Sequence, residues 1–83
     1  MASPKDLRAA RLVREMRVDR GLSPEALAYE IYRHGAGAIS GKTIRRIELV
    51  GVVPTPRIQF ALATFFELRP TQLWATERAR SAA

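Results

Sequence analysis

Apolar residues recur along the chain at intervals of three and four, interrupted by proline and glycine, and no stretch alternates with a period of two. The pattern predicts helices and no strand. Proline follows a plausible helix cap or chain entry at Ser3-Pro4, Ser23-Pro24, Thr55-Pro56 and Arg69-Pro70. Proline at the first helical position loses no hydrogen bond and presets φ, and a Ser or Thr before it can accept from first-turn amides. Ser40 supplies one more start, without proline.

The first helix is predicted from about Pro4 to Arg20, with Asp6 near its positive end and Gly21 closing it. Ala9, Leu12, Val13 and Met16 share one face at helical spacing. A second helix is predicted from Pro24 to about Arg33, burying Leu27, Ala28 and Ile31. His34-Gly35-Ala36-Gly37-Ala38 reads as a flexible breaker. The third helix spans Ser40 to about Leu49, and Gly51 to Pro54 form a loop, because Pro54 and Pro56 exclude a helix there. A fourth helix, about Pro56 to Glu67, carries Ile58, Ala61, Leu62, Phe65 and Phe66; a last one, about Pro70 to Arg78, carries Leu73 and Trp74. Residues 79–83 are expected to fray. The expected architecture is all-α, with short helices in a single domain over residues 1–83 and a core at about 4–78.

The third helix has two unlike faces. Ile44 and Ile47 point one way, with Ile39 entering on the same side, while Lys42, Arg45, Arg46 and Leu49 point the other, at i, i+3, i+4 and i+7. Glu48 lies on the flank, where it can pair with Arg17 or another arginine of the first helix. A helix of this width enters a major groove, where long donors read base edges. Its N-terminal amides and dipole favour phosphate. Gly41, lacking a side chain, would let that end approach DNA closely. A solvated basic face is the bland alternative for the segment taken alone.

Charge strengthens the nucleic-acid reading without deciding it. The 83 residues hold 14 Lys+Arg against 8 Asp+Glu, a formal charge of +6, and most of the cations are arginine, which suits forked contacts to phosphate and guanine. A basic balance also suits anionic membranes or acidic proteins. There is no cysteine, hence no disulfide and no thiolate zinc site, and the single histidine, His34, builds no metal site alone. No apolar run approaches the ~18 residues of a membrane span, and MASPKDLR lacks the apolar core of a signal peptide, so a cytoplasmic setting is expected.

Several segments, in order, resemble one family. Gly21-Leu22-Ser23 followed by Glu25-Ala26-Leu27-Ala28 resembles the second helix of the lambda-repressor-like (Cro-like, xenobiotic-response-element type) helix-turn-helix proteins. Ile39 to Glu48 is similar to the family's third, recognition helix, here about residues 40–48. Pro54-Thr55-Pro56 and Phe60 to Trp74 are similar to its fourth and fifth helices, and the resemblance covers residues 7–75. There are two departures. Pro24 stands where the family usually has a phosphate-clamping glutamine, and seven residues separate Ile31 from Ile39 where the family's turn is very short. Gly35 and Gly37 suggest that the extra residues loop out.

The resemblance implies a five-helix DNA-binding domain and places Gly41, Lys42, Thr43 and Arg46 where family members touch bases. Ser23, Ser40, Arg45 and Arg57 fall where phosphate is met. The chain has no asparagine, and Gln59 and Gln72 lie outside the recognition helix, so the preferred partners of adenine are missing from it. Lys42 and Arg46 prefer guanine O6 and N7, which implies a half-site anchored on one or two G·C pairs, and the methyl of Thr43 suits a thymine. Dimers of this motif read half-sites about 34 Å apart, so a homodimer on double-stranded operator DNA is expected, with Leu68, Leu73 and Trp74 as candidates for the surface where two copies meet.

Arg8, Arg11, Arg14 and Arg17 recur every third residue and so spread over half of the first helix. They read as a solvated face with local pairing to Glu15 and Asp19, some of them within reach of phosphate. Tyr29, Tyr32 and His34 read as packed or simply exposed. Catalysis is not expected, since there is no cleft of paired carboxylates, no nucleophile–histidine constellation and no glycine-rich phosphate loop. No cofactor, metal or small-molecule ligand is expected. The chain ends soon after the helix-turn-helix segments, which is similar to short Cro-like repressors of phages and mobile elements in bacterial hosts. The competing expectation is an antitoxin of a toxin–antitoxin pair, binding a partner protein as well as its own operator.

Overall fold

The computed structural model describes residues 6–74. Five helices follow one another: α1 (Leu7–Asp19), α2 (Pro24–Arg33), α3 (Gly41–Val50), α4 (Pro56–Phe65) and α5 (Pro70–Leu73). None of the described residues lies in a strand.

Each start has a local cause. Ser23 Oγ accepts the Ala26 N–H at 3.0 Å with Pro24 in the first turn, and Ser40 Oγ accepts the Thr43 N–H at 3.1 Å. Thr55 precedes Pro56 without bonding through its side chain. The Arg69 N–H is instead satisfied by Gln72 Oε1, at 2.7 Å. α1 departs from expectation: its cap is Asp6, which accepts the Ala9 N–H at 3.0 Å, and the helix begins at Leu7. A carboxylate suits this position because it both satisfies an amide and complements the helix dipole. Ser3-Pro4 itself lies outside the described residues.

Two ends also shift. α4 stops at Phe65, because Glu67 takes a left-handed conformation (φ 59°) that lets the Leu68 N–H return to the Ala63 carbonyl at 2.8 Å. α5 is only four residues long, and the remainder of its expected span, 75–78, lies outside the described residues along with the tail 79–83. α3 runs one residue past expectation and ends at Gly51. There φ of 75° returns the amide to the Ile47 carbonyl, while the Gly51 carbonyl accepts the Asp6 N–H at 2.8 Å, tying the start of α1 to the end of α3.

The core lies among all five helices. Ala9 and Val13 of α1, Leu27, Ala28 and Ile31 of α2, Ile44 and Ile47 of α3, and Ala61, Leu62 and Ala63 of α4 form it with Phe66, Leu73 and Trp74. Leu12, Met16, Ile39, Ile58 and Phe65 pack against it half-buried, whereas Phe60 stays exposed. The long connection between α2 and α3 does not loop out freely. The Ala36 N–H bonds to the Ile31 carbonyl at 3.0 Å, Ala36 and Ile39 pack on the core, and a Cβ at Gly37 would lie 3.1 Å from that of Ala61. The extra residues thus lie against α4, and glycine permits the close approach.

Two of the expected dimer contacts are corrected here. Leu73 is 0% and Trp74 1% exposed, so both are core residues, and only Leu68 stays half-buried. The guanidinium of Arg8 donates to the carbonyls of Gln72 (3.2 Å) and Leu73 (3.1 Å), fastening α5 to α1 across the chain. Trp74→Ala is therefore expected to destabilise the fold by about 3–5 kcal/mol, as loss of a buried ring does, seen as a large fall in the thermal unfolding midpoint by circular dichroism. A midpoint that stays at the wild-type value would return Trp74 to the surface.

Candidate nucleic-acid interface

α3 is rotationally fixed by what it buries. Ile44 and Ile47, 0% and 1% exposed, point into the core, and burial of each contributes roughly 1.5–3 kcal/mol. Lys42, Arg45, Arg46 and Leu49 are consequently exposed on the opposite side. Lys42, Arg45 and Arg46 thus present a cationic surface toward the N-terminal end of α3, interrupted by the carboxylate of Glu25 from α2. α2 and α1 both pack against α3 and hold it from behind.

The two flanks of α3 differ. Gly41, Arg45 and Glu48 fall at i, i+4 and i+7 on the flank toward α1 and α2. Arg17 Nε donates to Glu48 Oε2 at 2.7 Å and its Nη2 to Glu48 Oε1 at 2.9 Å, while Nη1 donates to the Leu22 carbonyl at 2.7 Å. One guanidinium thereby joins α1, the α1–α2 connection and the end of α3, in a forked geometry that only arginine provides. The hydrogen bond donated to Glu48 holds the Arg17 guanidinium above its ordinary pKa range. One turn closer to the helix start, Arg45 forms an ion pair with Glu25 of α2. The open side of Gly41 is taken by the same residue: a Cβ there would lie 2.9 Å from Glu25 Oε2. The Glu25 side chain thus fills the space beside Gly41.

On the other flank, Arg46 and Thr43 edge a crevice formed with Val52, Thr55 and Ile58. Lys42 and Arg46 enter no ion pair among the described residues. The Thr43 hydroxyl lies 3.0 Å from Ser40 Oγ, so the two share a hydrogen bond at the helix start. Arg57 is exposed at the start of α4. Ser23 accepts from the Ala26 amide, and its hydroxyl proton remains available to donate outward. The structure therefore brings Gly41, Lys42, Thr43, Arg45 and Arg46 together on one helix, and sets Ser23 and Arg57 at the starts of two others.

Of the α1 arginines read as within reach of phosphate, Arg14 edges a groove shared with Pro24, Arg45 and Leu49, beside the exposed face of α3. One contributor, Glu25, was not read from the sequence. Glu25 pairs across helices, a contact no spacing within one helix reveals. The expected pairing of the α1 arginines with Glu15 and Asp19 is not found: Arg17 takes Glu48 and Arg8 takes α5 carbonyls, while Arg11 and Arg14 are exposed without an ion pair among the described residues. His34 and Arg33 turn to Glu30, at 3.3 and 3.2 Å, and the hydrogen bond from Arg33 holds the Glu30 carboxyl below the usual range. Tyr29 and Tyr32 are exposed.

Among the described residues, no group of His, Cys, Asp and Glu is placed to hold a metal ion, and no helix is long and apolar enough to cross a membrane. No family model, curated protein or solved structure matches the chain.

The Arg17–Glu48 pair sets a test of how α3 is held. Glu48 has only 4% of its side chain exposed, so Arg17→Ala leaves a carboxylate without its partner and is expected to cost about 3 kcal/mol in urea unfolding. Adding Glu48→Leu should recover most of that loss, because the stranded charge is gone. A single variant as stable as the wild type would show that the pair does not hold the helix.

Proposed function

We propose that the protein is a sequence-specific double-stranded DNA-binding transcriptional regulator, a Cro-like repressor of the lambda-repressor-like helix-turn-helix family, which reads the major groove with α3. The observation that carries the reading is the exposed Lys42–Arg46 surface on a helix whose opposite face is locked into the core by Ile44 and Ile47. Such a helix cannot roll its cations away, and the unpaired amides of its first turn lie at the same end. In this reading Lys42 and Arg46, free of ion pairs among the described residues, contact bases; Arg45, Ser23, Ser40 and Arg57 contact phosphates. Thr43 contributes its methyl, since its hydroxyl is engaged by Ser40.

Binding as a homodimer follows from the few base pairs one helix can read. With Leu73 and Trp74 buried, the exposed apolar side chains available to a second copy include Leu49 and Val50 at the end of α3, Phe60 on α4, and Leu7 and Val18 on α1. Repression requires only that the bound protein obstruct polymerase.

The test is selection of binding sites from random duplex DNA, followed by a salt titration on the enriched site. An enriched palindrome containing one or two G·C pairs per half-site is expected, whereas equal affinity for scrambled DNA at every salt concentration would overturn the reading. On the enriched site, Arg46→Ala is expected to cost about 1–3 kcal/mol and to relax preference at one base pair. Uniform weakening across all sequences would make Arg46 a phosphate contact instead.

A further inference from the structure

Glu25 is an acid in the middle of a cationic surface. It lies in the first turn of α2, with Ser23 as its helix cap and Pro24 before it. The side chain reaches across to α3, fills the space that Gly41 leaves open, and forms an ion pair with Arg45. Both partners remain about half exposed, at 56% and 50% of their side-chain surface, so the pair is neither buried nor needed to complete the core. In solvent such a pair contributes little to stability. Its position matters more than its strength, because it joins the first turn of α2 to the first half of α3, next to Gly41.

The inference rests on the DNA-binding reading above. We propose that Glu25 is a specificity-determining residue of the interface: it holds Arg45 away from the phosphate backbone and lowers affinity for DNA that α3 cannot read. Two effects act together. The carboxylate occupies the guanidinium that a phosphate would otherwise take, and its own charge repels a phosphate approaching the α2 start. The field of Glu25 extends beyond Arg45, since it also favours the charged form of Arg17. Non-specific affinity comes almost wholly from phosphate neutralisation, so an acid placed there penalises every sequence equally. Base contacts from Lys42 and Arg46 lie on the other parts of the helix and are left intact. The ratio between cognate and random DNA rises only because cognate binding recovers part of that penalty. On cognate DNA the fit of α3 into the groove brings phosphate close enough to compete for Arg45, which recovers part of the penalty.

The experiment compares the full chain with Glu25→Gln, Arg45→Gln and the double variant. Each is titrated from low to high salt against the duplex enriched by selection and against a scrambled duplex. Gln keeps the shape and removes the charge, and circular dichroism checks that each variant is folded. Glu25→Gln is expected to bind the scrambled duplex roughly five- to tenfold tighter at about 0.1 M salt, with the slope of log K against log salt steeper by about 1. The gain on the enriched duplex should be smaller, so the ratio between the two falls. In the Arg45→Gln background, the effect of Glu25→Gln should shrink, because the cation it restrains is gone. Unchanged affinity and slope for both duplexes, or a gain on the enriched duplex as large as on the scrambled one, would overturn the role of Glu25 while leaving the DNA reading in place. Failure of the wild type to bind any duplex would overturn both.

Discussion

A ten-residue helix with two isoleucines fully buried on one side has no freedom to roll, and the placement of every cation on α3 depends on that restraint. A rotation that hid Arg46 would expose Ile44 and Ile47, forfeiting roughly 1.5–3 kcal/mol for each while stranding a charge in the core. Arg17 adds a second restraint at the far end, where it holds Glu48 and the Leu22 carbonyl together. Gly51 adds a third by returning α3 to the start of α1 through the Asp6 amide. Rotation, far end and connection are each fixed by a different kind of force. Lys42 and Arg46, on the outward face, take no part in these restraints among the described residues.

That face is not uniform. The flank toward α1 and α2 is where charges are paired, Glu48 with Arg17 and Arg45 with Glu25. The flank toward the α3–α4 connection leaves Arg46 beside an open crevice. A helix that lies in a groove touches both its floor and its walls. Here the cations free of ion pairs among the described residues suit the floor, and the paired one suits a wall. In the proposed reading Lys42 and Arg46 do different work from Arg45, although all three share one charge and one short stretch of chain.

Much of the fold was legible because its signals are local. Ser23-Pro24 and Ser40 mark helix starts within three residues of the amides they cap, and the spacing of Ile44 and Ile47 reports burial within one turn. The Arg17–Glu48 pair was within reach because Glu48 sits on a flank facing a helix rich in arginine. What escaped was long-range. Leu73 and Trp74 looked like surplus apolar residues near the end of the chain, and only the folding of α5 onto α1, with Arg8 closing it, shows them to be core. The loop between α2 and α3 looked free because glycine signals a break without saying what the freed backbone lies against, here Ala61. Glu25 was invisible for the same reason. Its partner stands twenty positions away on another helix, and no periodicity links them.

Whether the outward face of α3 meets DNA, as proposed, can be read residue by residue from amide chemical shifts mapped by heteronuclear NMR during titration with the selected duplex. Binding should move the signals from Ser40 to Arg46 most, with smaller changes at Ser23 to Ala26 and at Arg57, and should leave Leu62, Ala63 and Leu73 in place. Shifts concentrated on the exposed faces of α1 or α4, with Lys42 to Arg46 unmoved, would contradict the account.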